Sequence, residues 1–276
     1  MTCGMDWRGR VGDVWAAEWR RTDRSLADIS RHLDAAITSV APETGHALDI
    51  GSGAGATSLA LRAVRPGLRV TGVDLSSELV AVAQRRAVED AGDALRFRCG
   101  DALAVAADEG PLDLLCSRHG VMFFPDPVVA LASLRRAVRD GARLVFSCFA
   151  ERAANGFATL ADSAIGLAPP QDEGYAPGPF AFADMDQVGA WLTESGWHPD
   201  NVARVPFDYM VGEGDNPVED ALSFLSQIGP AARAMAQAAP PERQRIEDAL
   251  RMALEKYRAG NRIALPATAW IWRATT

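Results

Sequence analysis

Between residues 46 and 149, short apolar runs alternate with amphipathic stretches. The runs near 46–50, 69–74, 95–99, 112–117 and 142–149 read as strands, and the stretches near 56–64, 77–91 and 127–138 as helices. Helix ends carry their own signals. Ser76 can cap the second helix and Gly92 close it, while Asp126-Pro127 offers an N-cap followed by proline at the first helical position. Repeated strand–helix units with right-handed crossovers give a parallel sheet covered by helices on both faces. The run Leu144-Val145-Phe146 suits a strand buried on both sides.

The flanks follow other rhythms. In residues 1–40, Val11, Val14, Trp15 and Trp19 share helical spacing, as do Leu26, Ile29, Leu33 and Ile37. They predict two helices joined around Arg21-Thr22-Asp23. Beyond the fifth strand, 155–167 reads as a helix and 168–180 as a proline- and glycine-rich loop of the kind that serves as a substrate lid. A helix over 185–195 stops at Gly196, and a strand follows near 201–210. Asn216-Pro217-Val218-Glu219 resembles a capping box opening a helix over 217–228. A further helix spans 241–259, ended by Gly260, and 267–273 is a last strand. No repeat or linker interrupts the chain. It reads as one domain, 1–276, with a core at 46–149, N-terminal cap helices at 1–40, and cap or lid insertions at 151–183 and 212–262.

Composition narrows the partners. The chain has 276 residues, 48% of them apolar, enough for a substantial core. Its net charge of −8 argues against nucleic acid or an anionic membrane surface as partner. Of the four cysteines, Cys99, Cys116 and Cys148 fall in expected strands, where a free thiol behaves as a small hydrophobe. Cys3 stands apart, and no Cys/His spacing suggests zinc or any other metal. With no apolar leader segment and no stretch of membrane-spanning length, the expected location is the cytoplasm.

The candidate chemistry lies at the strand ends. Gly51, Gly53 and Gly55 make a tight turn between the first strand and the first core helix, leaving backbone N–H groups to meet a polar ligand. The spacing is Gly-x-Gly-x-Gly after Asp49, not the G-x-G-x-x-G of dinucleotide folds. Asp74 closes the second strand, where a carboxylate can accept ribose hydroxyls, and Asp101 follows the third. Leu48-Asp49-Ile50-Gly51-Ser52-Gly53-Ala54-Gly55, Val73-Asp74-Leu75-Ser76 and Gly100-Asp101-Ala102 together resemble the class I S-adenosylmethionine (SAM)-dependent methyltransferases. The resemblance implies a doubly wound, Rossmann-like α/β fold with a seven-stranded, mostly parallel sheet and an antiparallel last strand. It also implies SAM as cofactor, S-adenosylhomocysteine (SAH) as product, and a cofactor site at Asp49, Gly51, Ser52, Gly53, Gly55, Asp74, Leu75, Asp101, Ala102 and Ser117. Arg20 or Arg24 could meet the cofactor carboxylate.

After the fourth strand, Ser117-Arg118-His119-Gly120-Val121-Met122-Phe123-Phe124 is similar to a small-molecule subgroup whose third position is usually aromatic. Ser117, Arg118 and His119 should border the acceptor, with Met122, Phe123 and Phe124 packed under the next helix. His119 is the candidate catalytic residue. It is either a general base, since imidazole titrates near neutral pH, or an aromatic wall. The expected function is methyl transfer to a small apolar or zwitterionic molecule, with a peptide acceptor still open and the methylated atom (O, N or C) unassigned. A SAM-binding protein with a non-methylating or non-catalytic role is the alternative. An NAD-dependent oxidoreductase fits less well, for want of the right glycine spacing and of a proton-relay pair.

Overall fold

The computed structural model describes residues 6–87, 94–166 and 174–276. Five strands come from the alternating half: β1 (Gly45–Ile50), β2 (Leu68–Asp74), β3 (Leu95–Cys99), β4 (Leu112–Arg118) and β5 (Val138–Phe149). The rest are β6 (His198–Glu213), the two-residue β7 (Arg258–Ala259) and β8 (Arg262–Thr275). Among the described residues they form one eight-stranded sheet of order β3-β2-β1-β4-β5-β8-β6, with β7 paired to β8. β1 to β5 pair in parallel, while β8 runs antiparallel between β5 and β6. The expected seven strands are therefore joined by β7, which folds back on β8 through Gly260 at φ 63°. From β1 the chain winds outward to β3, then crosses back to β4. The carboxyl ends of β1 and β4 thus part at a topological switch point, where open α/β sheets bind ligands.

The N-terminal residues form three helices rather than two: α1 (Arg10–Ala17), α2 (Trp19–Ser25) and α3 (Ala27–Thr38). Arg21-Thr22-Asp23 lies inside α2, because its polar residues find ion-pair partners on neighbouring elements. α3 buries Ile29, Leu33 and Ile37 completely or nearly so against the sheet. Each such side chain contributes about 1.5–3 kcal/mol.

The core helices are α4 (Ala56–Val64), α5 (Ser77–Arg86), α6 (Ala102–Glu109) and α7 (Pro127–Arg136). Ser76 and Asp126 cap α5 and α7 as their positions predict, accepting from the N–H of Leu79 and Val129. α6, not foreseen, starts where Asp101 accepts from the N–H groups of Leu103 and Ala104. The expected stop at Gly92 and the first part of the lid loop, through Glu173, lie outside the described residues.

The remaining helices are α8 (Gly156–Ile165), α9 (Met185–Glu194), α10 (Pro217–Leu225), α11 (Pro230–Gln237) and α12 (Pro240–Glu255). α12 packs on both α8 and α10, and α11 packs on α8, so the two insertions meet in one helical layer. Asn216 makes no side-chain cap bond to α10. Proline at the first position sets that start, and Asp220 instead accepts from the Glu213 N–H. No helix among the described residues is long and apolar enough to cross a membrane.

Candidate active site

Gly51, Gly53 and Gly55 all adopt the left-handed conformation, at φ 65°, 54° and 84°. A Cβ on Gly51 would press on the Gly120 Cα at 3.0 Å, and one on Gly55 would meet the Phe97 ring at 2.7 Å. Side chains are excluded there by packing as well as by backbone conformation. At Gly53 nothing lies within 4 Å, so that backbone faces open space. The turn is held from below by acids. Asp74 accepts from Gly53 N–H through Oδ2 and from Ser76 N–H through Oδ1, both at 2.9 Å. Asp49 is fully buried, with Oδ2 taking the Ser58 hydroxyl at 2.6 Å and Oδ1 left without a partner.

Burial sets the electrostatics beneath the turn. It pushes the Asp49 carboxyl up to about 7, against the opposing pull of the Ser58 hydrogen bond and Arg118. Asp34, on α3, is raised to about 6 by the same cause. Asp74 is also raised by burial, opposed by the N–H groups of Ser76 and Gly53.

A cleft of about 3240 Å³ opens over the turn and runs to the helical cap. At one end, Trp15 and Trp19 pack on Ala54, Leu79 and Val82, pinning the N-terminal helices to α5. Trp7 meets Trp15 at 5.5 Å and Phe123 at 5.1 Å, both edge-on, and so crosses from the N-terminal segment to the turn after β4. Asp23 ties this roof down, pairing with Arg118 at 2.8 Å and Arg86 at 2.9 Å. Phe123 therefore lines the cleft as well as packing on the core, a correction to its expected place wholly under α7.

The other end is aromatic. Phe149, at the end of β5, meets His119 at 4.2 Å, Phe157 at 4.9 Å, Phe180 at 6.1 Å and Tyr209 at 6.4 Å. The charged residues beside it are engaged, since Arg152 forks onto both oxygens of Asp162. His119 is buried, adopts φ 60°, and is the only non-glycine residue at positive φ among those described. Its Nδ1 lies 3.0 Å from the Ser147 hydroxyl, and its Nε2 has no partner. Burial, then the nearby Arg118, pushes the imidazole down to about 3. The ring is neutral at physiological pH, and a base that weak has little driving force to take a proton.

Of the expected site residues, Gly51, Ser52, Gly53, Asp74, Leu75 and His119 line this one cleft. Asp49 lies behind it. Ser117 is buried too, donating to the Ile50 carbonyl at 2.7 Å and accepting from Gly120 N–H at 3.1 Å, so its hydroxyl braces β4 against β1. Gly55 turns toward Phe97, while Asp101 and Ala102 sit at the start of α6, outside the cleft lining. Arg24 is engaged by Asp220 and the Val211 carbonyl, and Arg20 lies 4.4 Å over Trp19, so neither stands where it was expected; Arg10 and Arg118 are among the arginines that line the cleft instead. Sequence reasoning missed Trp7, Asp23, Ser147, Phe149, Phe157 and Tyr209. They come from separate elements, and no local spacing links them.

Residues 48–146 match the family profile described as methyltransferase domain. A demethylmenaquinone methyltransferase of Thermus thermophilus is 37% identical over 98 residues, covering 36% of this chain and 44% of that protein. The match thus spans less than half of that relative. A ubiquinone biosynthesis O-methyltransferase of Coxiella burnetii is 24% identical over 183 residues, 66% of this chain and 75% of its own length. Among solved structures, the [4+2]-cyclase SpnF superposes with a TM-score of 0.55 at 17% identity, covering 90% of this chain and 80% of that one.

Proposed function

We propose that the chain is a class I SAM-dependent methyltransferase that transfers a methyl group from SAM to a small molecule, a reading supported by the methyltransferase-domain match over residues 48–146 and by the methyltransferase relatives. The observation that carries this reading is the single cleft joining the glycine turn and Asp74 to the aromatic chamber at His119.

The residues present fit the cofactor. Asp74 has acceptor capacity beyond its two backbone bonds, as a carboxylate offers about four lone-pair sites. The buried hydroxyls of Ser52 and Thr22, both residues of the cleft lining, have no partners, and such orphans call for a polar ligand or water. Gly51, Ser52, Gly53, Asp74 and Leu75 would hold it directly. Asp49, Gly55 and Ser117 shape the turn, and Asp101 and Ala102 stand at the rim. When bound, SAM supplies an activated methyl group on a sulfonium. The protein's share is alignment and exclusion of water. Trp7, Trp15, Trp19 and the Asp23 ion pairs close one end, and the layer of α8, α10, α11 and α12 covers the other. The described parts of the segments 1–40, 151–183 and 212–262 would then serve as caps on the core.

The chamber favours an acceptor with a flat apolar body, touching His119 at its polar point. The net charge of −8 and the aromatic end of the cleft support a small molecule over nucleic acid, and cysteines outside any disulfide among the described residues are consistent with a cytoplasmic setting. A second reading, use of SAM without methyl transfer, has the likeness to SpnF in its favour, since that fold serves a cyclase. Calorimetry with SAM, SAH and NADH tests the cofactor, where binding of NADH but not SAM would overturn the proposal. SAH formation with a supplied acceptor separates the two SAM readings.

A further inference from the structure

His119 also carries information about what the acceptor offers it, an inference that rests on the methyl-transfer reading. Ser147, fully buried on β5, holds this residue twice. Its carbonyl accepts the His119 N–H at 3.1 Å, and its hydroxyl lies 3.0 Å from Nδ1. A histidine at φ 60° persists only where its surroundings fix it, and this double hold, with the Phe149 ring against its face, does so.

The hydroxyl favours one tautomer. Among the described residues, its one side-chain hydrogen bond is with Nδ1. If it accepted a proton from Nδ1–H, its own O–H would be buried without an acceptor, the more costly arrangement. If it donates to Nδ1, the pair is satisfied and the ring proton sits on Nε2. Nε2 is the atom left without a partner, on a residue that lines the cleft. The chamber beside it is mostly aromatic: Phe149, Phe157 and Phe180 have no polar side-chain atoms, and the Tyr209 hydroxyl is the polar group that accompanies them.

We propose that Ser147 is a positioning residue that locks His119 as the Nε2–H tautomer, so that the acceptor meets a neutral N–H donor. The acceptor is then a flat, apolar molecule carrying a hydrogen-bond-accepting oxygen, such as a carbonyl, at that point. Neutrality follows from burial and the neighbouring Arg118. A neutral imidazole can polarise an oxygen without giving up its proton. Arg118 does not compete for that oxygen, since its two terminal nitrogens are engaged by Ser30 and Asp23.

The test uses the full chain, 15N-labelled at histidine, with SAH present. The His119 ring signals are assigned by their loss in His119→Asn, as asparagine tolerates positive φ. Two-bond proton–nitrogen spectra of the unmodified protein should show an Nε2–H ring from pH 5 to 9. An Nδ1–H or charged ring at pH 7 overturns the assignment. Ser147→Ala should mix the tautomers, and an unchanged ring pattern would remove Ser147 from the role. For the acceptor, the probes are 1-tetralone and its hydrocarbon counterpart tetralin, followed by tryptophan fluorescence. The ketone should bind about tenfold tighter, the worth of one hydrogen bond to a buried group, and lose that preference in His119→Phe. Equal binding, or binding of neither, overturns the acceptor class. Failure of the cofactor reading shows separately, as loss of SAH binding by calorimetry while the tautomer result stands.

Discussion

Removing the carboxylate at position 74 should separate cofactor binding from the upkeep of the turn. Asp74 holds the N–H of Gly53 on one oxygen and that of Ser76 on the other, each at 2.9 Å. Two acceptor sites remain for ribose hydroxyls. In Asp74→Ala both backbone donors lose a charged partner, and the hydroxyls lose theirs. At about 1.5–3 kcal/mol for a charge-assisted bond, SAH affinity should fall roughly 10- to 150-fold. Asp74→Asn should fare little better, because its amide nitrogen must face either the Gly53 or the Ser76 N–H. Calorimetry with SAH, run beside thermal melts of the ligand-free protein, distinguishes the effects. If Asp74 served only the turn and the start of α5, the variant would melt earlier yet bind SAH normally. A folded Asp74→Ala protein with an unchanged dissociation constant would refute the assignment.

Other consequences follow from the buried titratable groups and the roof. His119→Phe should lower turnover of the true acceptor by about tenfold, one lost hydrogen bond, and leave the shape of its pH profile unchanged; a profile that moves would restore the general base. Because the folded-state pKa of His119 is about 3, below its usual 6.5, the wild type loses stability as pH falls from 6.5 toward 3. His119→Phe should lack that loss in melts across the range. Asp49 shifts the other way, from 3.8 to about 7, so its contribution is full below 3.8 and fades as pH rises to 7. Asp49→Asn should therefore melt with a weaker pH dependence in that window, and an unaltered slope would place the titration elsewhere. Hydrogen exchange over residues 10–25 and 174–180 should slow on adding SAH, as closure completes such sites; equal rates would count against a closing roof.

How much of this was legible depended on whether a feature is local. The glycine turn, Asp74 at the end of its strand and the caps at Ser76 and Asp126 are written in contiguous residues, and each appears at its expected place in the fold, whereas Asp101 caps α6 outside the cleft lining. The strands of the core were legible for the same reason, since parallel strands buried on both faces are apolar runs. Asn216 shows the limit of a motif, because its side chain forms no cap bond while the proline beside it sets the start. The split of the N-terminal segment into three helices turns on tertiary ion pairs of Arg21 and Asp23 that no periodicity records. Of the aromatic chamber, only Phe180 fell in a stretch read as part of the site, the expected lid. Phe149, Phe157, Phe180 and Tyr209 meet only after the sheet and both insertions are in place. His119 was visible as a departure from an aromatic position, but its burial and its hold by Ser147, 28 residues away, were not.

Methyl transfer requires that a methyl group leave SAM on this protein. Its most direct test is incubation of the full chain with SAM bearing a doubly labelled methyl group and a small-molecule extract of the producing cell, followed by mass spectrometry. Methyl transfer should give SAH together with at least one product carrying the labelled methyl. SAM bound in calorimetry, yet with neither SAH nor a labelled product formed, would contradict it.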